Sequence, residues 1–339
     1  MGSTMKYAVI ITTSLVIVAA IVVAIAVPLS KRDDKSPREL AEQWMSQTPL
    51  IDGHNDLPWF LKFNHDNRLE EIDLSVNIKD KYRTSHTDIP RLREGKVGAQ
   101  FWAAYTSCGS QYKDAVTHVL DQIDVIKRMC KMYPEDFEFV TSAQGIIDAF
   151  EAGRIGGLIG VEGGHNIDSF PSVMRMLAEL GVRYMTMTHS CNTPWADNWL
   201  TDTEDEEEEF DGLTEWGEKL VLEMNRIGVF VDLAHVSKAT MQDALRVSLA
   251  PVIFSHSSAF SVCSSYRNVQ DDIFPLVKEN GGVIMVNFYT GYINCPPMNI
   301  SDNTNEAELA QVADHIEYIA QNCGYDHVGI GGDYDGVPT

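Results

Sequence analysis

Eight short apolar runs, separated in most cases by segments of helical periodicity, restrict this chain more than any other feature. They fall at residues 50–52, 98–104, 157–161, 182–188, 229–233, 252–255, 283–287 and 328–331. Several intervening segments have readable helix ends. Ser142 can cap a helix through Ile146, Ile147 and Phe150 that stops at Gly153. Val173, Met176, Leu177 and Leu180 share a face ended by Gly181, and Leu220, Val221, Met224 and Ile227 share one ended by Gly228. Ser237 opens another through Met241 and Leu245, and Leu309, Val312, Ile316 and Ile319 form the last, closed by Gly324. Repeated strand–helix units imply parallel strands joined by crossover helices. Eight is the count at which such a sheet closes as a (β/α)8 TIM-type barrel, an α/β fold. An open doubly wound sheet is the alternative, but no G-x-G-x-x-G follows the first run to hold a dinucleotide. With 339 residues, 44% of them apolar, the chain can bury a core of that size. It stops a few residues past the eighth run, so the barrel is expected to be truncated after its eighth strand and the sequence to be a fragment of a longer protein.

Residues 7–27 are uncharged and rich in Ile, Val and Ala, preceded by Lys6 and closed by Pro28, Lys31 and Arg32. That length can span a bilayer as a helix, which makes the stretch an uncleaved signal-anchor. Ala24-Ile25-Ala26 resembles a small-x-small cleavage site, so a removed signal peptide is the competing reading. Either one sends the remainder into the secretory pathway. The division expected is 1–36 for this membrane segment and linker, and 37–339 for the barrel with its C-terminal part missing. Six cysteines without any C-x-x-C pair argue against structural zinc and allow disulfides in an oxidising compartment. Asn299-Ile300-Ser301 is a glycosylation sequon. The formal charge of −23 excludes nucleic acid and an anionic membrane face as partners; part of it is the run 204–209, read as a solvated loop.

The chemistry lies where the runs end, which in such a barrel is where catalytic residues sit. The first run leads into His54 and Asp56, whose side chains point the same way on an extended backbone. The third ends in Glu162-Gly163-Gly164-His165, the fourth in His189, the fifth in His235, the sixth in His256 and the eighth in Asp333. Any one alone reads as a satisfied polar residue at a strand exit. Together they converge on a single mouth. A set of imidazoles and carboxylates without clustered thiolates favours hydrolytic zinc over iron–sulfur or structural zinc. Two histidine–carboxylate groups plus one shared carboxylate would hold two metals with a hydroxide between them. The glycines after Glu162 are expected to let the backbone approach a metal-bound substrate.

DGHNDLP, GVEGGH, THSCNTPWADNW, DLAHVS, FSHSSA and GGDYDGV, in this order and on these strand ends, resemble the membrane (renal) dipeptidase family over residues 37–339. The resemblance implies a zinc-dependent hydrolase of the amidohydrolase type that cleaves dipeptides, cysteinylglycine-type and β-lactam or D-amino-acid-containing substrates included. It implies two Zn2+ per subunit, with His54 and Asp56 on one, His235 and His256 on the other, and Glu162 bridging. His189 would touch the substrate near the scissile carbonyl, Arg267 would hold the substrate carboxylate, and Asp333 would shuttle the proton. Cys108–Cys191 and Cys263–Cys295 match the family's bridges, which leaves Cys130 and Cys323 unassigned. A homodimer at the cell membrane, with the catalytic part extracellular and attached through the N-terminal segment or a lipid anchor beyond the chain's end, is implied as well.

Two other classes compete. A different two-metal amidohydrolase normally bridges its metals with a lysine, and no lysine lies at any strand exit here. A non-catalytic cell-surface binding protein that keeps the barrel would be expected to lose a ligand, and all five are present. Without the resemblance Arg267 would read as a surface arginine, while His165 and Asp335 read as structural. Trp195 and Trp199 either cover the mouth or pack a long loop.

Overall fold

The computed structural model describes residues 35–203, 207, 209–295 and 306–338. The apolar stretch 7–27, most of the acidic run 204–209 and the sequon at Asn299 lie outside them. Among the described residues no helix is long and apolar enough to cross a membrane. The chain divides into two units, Met1–Thr48 and Pro49–Thr339. In the first, Ser36 and Glu39 form a reciprocal capping box on the helix Pro37–Met45, which satisfies two N-terminal N–H groups.

The second unit is a ring of parallel strands. All eight expected strands form: β1 (Leu50–Asn55) and β2 (Val97–Tyr105), then β4 (Ile155–Glu162), β5 (Val182–Thr186), β6 (Phe230–Asp232), β7 (Ile253–Phe254), β8 (Val283–Val286) and β9 (Val328–Ile330). A ninth, β3 (Phe137–Phe139), was not expected and pairs outside the ring with β4, Phe137 opposite Ile155. β2 pairs directly with β4, and β1 closes the ring against β9 at Asp52 and Ile330. The expected helices appear as Ala143–Glu151, Pro171–Glu179, Glu215–Ile227, Lys238–Val247 and Leu309–Asn322, with Ser142 and Ser237 accepting first-turn N–H bonds. The longest described helix, Ala115–Met132, follows β2 and buries Val119, Ile123 and Ile126 against the strands.

Where helices cover the outer face of a strand, the side-chain alternation of period two sorts residues between the helix layer and the barrel interior. On β4, Ile159 and Val161 join the large core under the helices, while Leu158 packs inside with Phe101 and Tyr184. Gly160 and Glu162 share the inward parity of Leu158. A Cβ on Gly160 would stand 1.9 Å from Tyr184 Cζ, so this glycine makes the space the Tyr184 ring fills. The ring is fully buried, and its hydroxyl reaches the mouth of the barrel.

Candidate active site

Five elements deliver their donors to one point. Glu162 ends β4 pointing inward, and its two carboxylate oxygens face different partners. Oε2 lies 3.6 Å from His54 Nε2, which is itself 3.1 Å from Asp56 Oδ2. Oε1 lies 3.0 Å from His235 Nε2, 3.5 Å from His256 Nε2 and 3.9 Å from His189 Nε2. The structure therefore brings together every residue that the sequence nominated for the metals. His235 and Asp333 hold left-handed backbone angles, φ 65° and φ 60°, a region that among non-glycine residues His and Asp enter more readily than most. The Asp333 amide donates to His54 O and the Asp56 amide to Tyr334 O, which locks the exits of β1 and β9 together.

The donor set suits a divalent cation. His54, Asp56 and Glu162 form one group whose ligand atoms lie within 4.8 Å of one another, and Glu162, His189 and His235 form a second. His54, His256 and Asp333 form a third. His235 Nε2 and His256 Nε2 face each other at 2.9 Å, an approach that two bare imidazole nitrogens make only with a proton or a cation between them. His54 Nε2 is buried and faces only carboxylate oxygens, Asp56 Oδ2 at 3.1 Å and Glu162 Oε2 at 3.6 Å. A fourth grouping, Cys108, His165 and Cys191, is no metal site because its sulfurs are bonded to each other.

Burial sets the protonation of the groups around these donors. It pushes Asp333 up to about 6 and Asp56 up to about 7, although His54 pulls both downward. It lowers His189 to about 4, which leaves a neutral imidazole at physiological pH. Burial works to raise Glu162 too, but the charge on His54 and the close His235 and His256 imidazoles outweigh it and hold the carboxyl well below the usual range. Asn287 Nδ2 donates to Asp333 Oδ2 at 2.7 Å and fixes that carboxylate.

Above the donors opens a cavity of about 410 Å3, lined by Trp59, Tyr105, His189, Arg267, Tyr292 and Asp333 among others. Arg267 is not a surface residue: it is 2% exposed. Its guanidinium donates to His256 O at 3.4 Å and Ser257 Oγ at 3.5 Å and lies over the Tyr292 ring, 5.3 Å from the centroid. Among the described residues no carboxylate forms an ion pair with it. On the β2 side, Trp59 and Tyr105 meet edge to face at 5.0 Å.

The remaining candidates fall into structural roles. His165 Nε2 sits 3.1 Å from both the hydroxyl and the carbonyl of Thr106, and Asp335 accepts from the His86 amide at 2.7 Å. Trp195 stacks on Trp216 and Trp199 donates to Ser190 Oγ, so both pack the loop and neither lines the cavity. Cys108–Cys191 and Cys263–Cys295 are disulfides, while Cys130 and Cys323 are buried thiols. Burial pushes Cys130 up to about 12, which makes it unreactive. The expectation for the glycines after Glu162 needs correction. Gly163 has φ +99°, and a Cβ there would strike the His165 ring; one on Gly164 would strike Met187 O and Trp195. They serve turn geometry and packing beneath the site, not approach to a substrate.

Sequence reading did not single out Tyr184, Asp232, Ser255 or Asn287 for the site. All are buried and all touch a candidate ligand or its neighbour. Their only signal was a polar group at inward parity in an apolar run.

Residues 38–339 match the protein family described as Membrane dipeptidase (Peptidase family M19). Dipeptidase 3 of Mus musculus is 45% identical over 303 residues, 89% of this chain and 58% of that protein, so the chain spans less than two thirds of that relative. Among solved structures, dipeptidase AC, a metallo peptidase of family M19, is 26% identical with TM-score 0.73 and covers 86% of each chain. A metallo peptidase from Rhodobacter sphaeroides, solved with a phosphinate mimic of the dipeptide L-Ala-D-Ala, is 24% identical with TM-score 0.72 over 86% of this chain and 87% of its own, a likeness of fold alone.

Proposed function

Because the chain belongs to the membrane dipeptidase family, peptidase family M19, we propose that it hydrolyses dipeptides at a binuclear zinc site. The observation that carries this reading is Glu162, whose two oxygens are divided between the His54–Asp56 pair and the His235–His256 pair beneath a cavity lined by the buried Arg267. The five residues His54, Asp56, Glu162, His235 and His256 would hold two zinc ions, which when bound polarise a carbonyl and supply hydroxide at neutral pH.

The chain's own groups account for the rest. Arg267 offers a planar fork to the free carboxylate of the C-terminal residue and so limits substrates to short peptides ending there. Its loop follows β7, and Trp59 and Tyr105 lie by β1 and β2 across the ring, so the N-terminal residue of the peptide extends toward those rings. His189, neutral through burial, donates a hydrogen bond to the oxygen that gains charge as the carbonyl is attacked. Asp333 accepts the nucleophile's proton and returns it to the leaving amine, a shuttle that its raised pKa suits. The proposal extends to cysteinylglycine-type, D-amino-acid-containing and β-lactam substrates. The two disulfides and the mammalian Dipeptidase 3 relatives support a secreted location. A homodimer attached to the cell surface completes the proposal.

The test is hydrolysis of a glycyl-D-amino acid or a dehydrodipeptide by the purified protein, with chelation and zinc re-addition, beside Glu162→Gln. Activity lost to the chelator, restored by zinc and absent in the variant supports the reading. A folded, zinc-loaded protein that cleaves neither substrate overturns it and favours a non-catalytic binding role.

A further inference from the structure

Behind His256, on the side away from the cavity, stands a buried chain of polar groups that the mechanism does not use. Asp232, at the inward end of β6, accepts four hydrogen bonds. Oδ1 takes the Ala234 amide at 3.2 Å and the Ser255 amide at 2.8 Å. Oδ2 takes the hydroxyls of Thr186 and Ser255, each at 2.6 Å. Ser255 Oγ in turn lies 2.8 Å from His256 Nδ1. All four side chains are no more than 1% exposed, so water does not complete any of these contacts.

Counting hydrogens fixes the order. A carboxylate with four donors on its two oxygens has no lone-pair direction left for a fifth, and it carries no proton to give. The single hydrogen of Ser255 Oγ is directed at Asp232, so the serine meets His256 with a lone pair. Only an N–H can fill that contact, which places the imidazole proton on Nδ1 and leaves Nε2 bare toward Glu162 and His235. We infer that Asp232, acting through Ser255, is a positioning residue that selects the metal-binding tautomer of His256. The other two imidazoles lack this support: His54 Nδ1 meets the neutral Tyr184 phenol at 2.9 Å, and His235 Nδ1 has no partner. An anion behind a ligating histidine raises its basicity, and loss of such a partner typically lowers metal affinity about 10–100-fold. The relay therefore favours the ion held by His235 and His256 and makes the two halves of the site unequal.

This inference rests on the two-zinc reading above, and the experiment separates them. Zinc stoichiometry and dissociation constants are measured by competition with a chromophoric chelator on the full chain. The variants are Asp232→Asn, Ser255→Ala, and the two combined, each with the thermal midpoint of the metal-free protein recorded. In Asp232→Asn the retained carbonyl oxygen keeps the two backbone donors, and the new amide nitrogen donates to Ser255 Oγ. The serine hydrogen then turns to His256 Nδ1 and forces the proton onto Nε2. One zinc should weaken at least about tenfold while the other is held as in the wild type. Removing the hydroxyl as well frees His256 to choose its tautomer, so the double variant should bind that zinc more tightly than Asp232→Asn alone. Damage to the fold would instead accumulate. Unchanged constants in Asp232→Asn, or a double variant weaker than Asp232→Asn, overturn the relay. If Asp232→Asn does not fold, Ser255→Ala decides: wild-type affinity for both ions rejects the relay, and a selective loss at one supports it. Wild-type protein that binds no zinc rejects the two-zinc reading, and the relay with it, before any variant is compared.

Discussion

Gly160→Ala joins the packing of the barrel to the chemistry at its mouth. The added Cβ would lie 1.9, 2.2 and 2.4 Å from Cζ, Cε2 and Cε1 of Tyr184, the hydroxyl end of the ring. The ring is fully buried and is packed by Phe101 at a centroid distance of 5.0 Å, so the clash is relieved only by moving strand or ring. Overpacking of this kind costs about 1–3 kcal/mol. Displacing the hydroxyl also strips the 2.9 Å contact from His54 Nδ1, and a buried polar group left unpaired costs about 1–3 kcal/mol more. Together these give about 2–6 kcal/mol, a fall of roughly 3–10 °C in thermal midpoint for a unit of this size. Gly156→Ala on the same strand is the control, because its nearest contacts, Val140 Cγ2 at 3.2 Å and Ala99 Cβ at 3.4 Å, can give by a few tenths of an ångström. Tyr184→Phe separates the lost hydroxyl from the clash and should carry only the second of these costs. Thermal and urea midpoints of the three variants are compared with the wild type, together with zinc affinity. A Gly160→Ala protein as stable as Gly156→Ala, with wild-type zinc affinity, would refute the claim that this glycine positions His54 through Tyr184.

Arg267→Lys keeps the charge but loses the bidentate fork, so kcat/KM for a free dipeptide should fall about 10–100-fold, as expected for a charge-assisted hydrogen bond of roughly 1.5–3 kcal/mol. The same substrate with its C-terminus amidated should be little affected, and an equal loss on both would refute carboxylate recognition. Opening Cys108–Cys191, which spans 83 residues of sequence, should lower stability by about 4–5 kcal/mol on the chain-entropy account. It should also reduce activity, because His189 Nδ1 lies 3.6 Å from Cys108 Sγ; Cys191→Ser checks both by midpoint and rate. Glu223 receives hydrogen bonds from Arg226 and Arg175, which lower it from 4.5 to about 2 and tie two outer helices together. A depressed carboxylate stabilises above its unfolded value and loses that contribution as pH falls through the folded one. Glu223→Gln should therefore cost less than about 1 kcal/mol at pH 7 for so solvated a group, and the difference should shrink from pH 4.5 downward. A difference in urea midpoint that grows on acidification would contradict the assignment.

The strands were legible because they are local. An apolar run of three to seven residues between turn signals has little else to be, and eight of them with helical segments between leave few topologies. The exits were legible for the same reason, since His54, Glu162, His189, His235, His256 and Asp333 follow those runs within two residues. β3 escaped because three residues carry no periodicity, and it exists only by pairing with the start of β4. Arg267 lies thirteen residues beyond the end of β7, and nothing local says that its loop folds back over the mouth; burial there is a tertiary fact. The same holds for Tyr184, Asp232 and Ser255. Along the chain each is one polar group in an apolar run. Only closure of the ring, Asp52 against Ile330, decides that their parity is inward and that residues from strands distant in sequence meet within hydrogen-bond range. Sequence thus determined which groups would stand at the strand ends, because backbone alternation is short-range. Tertiary structure decided which way each imidazole faces, because that depends on what another strand puts behind it.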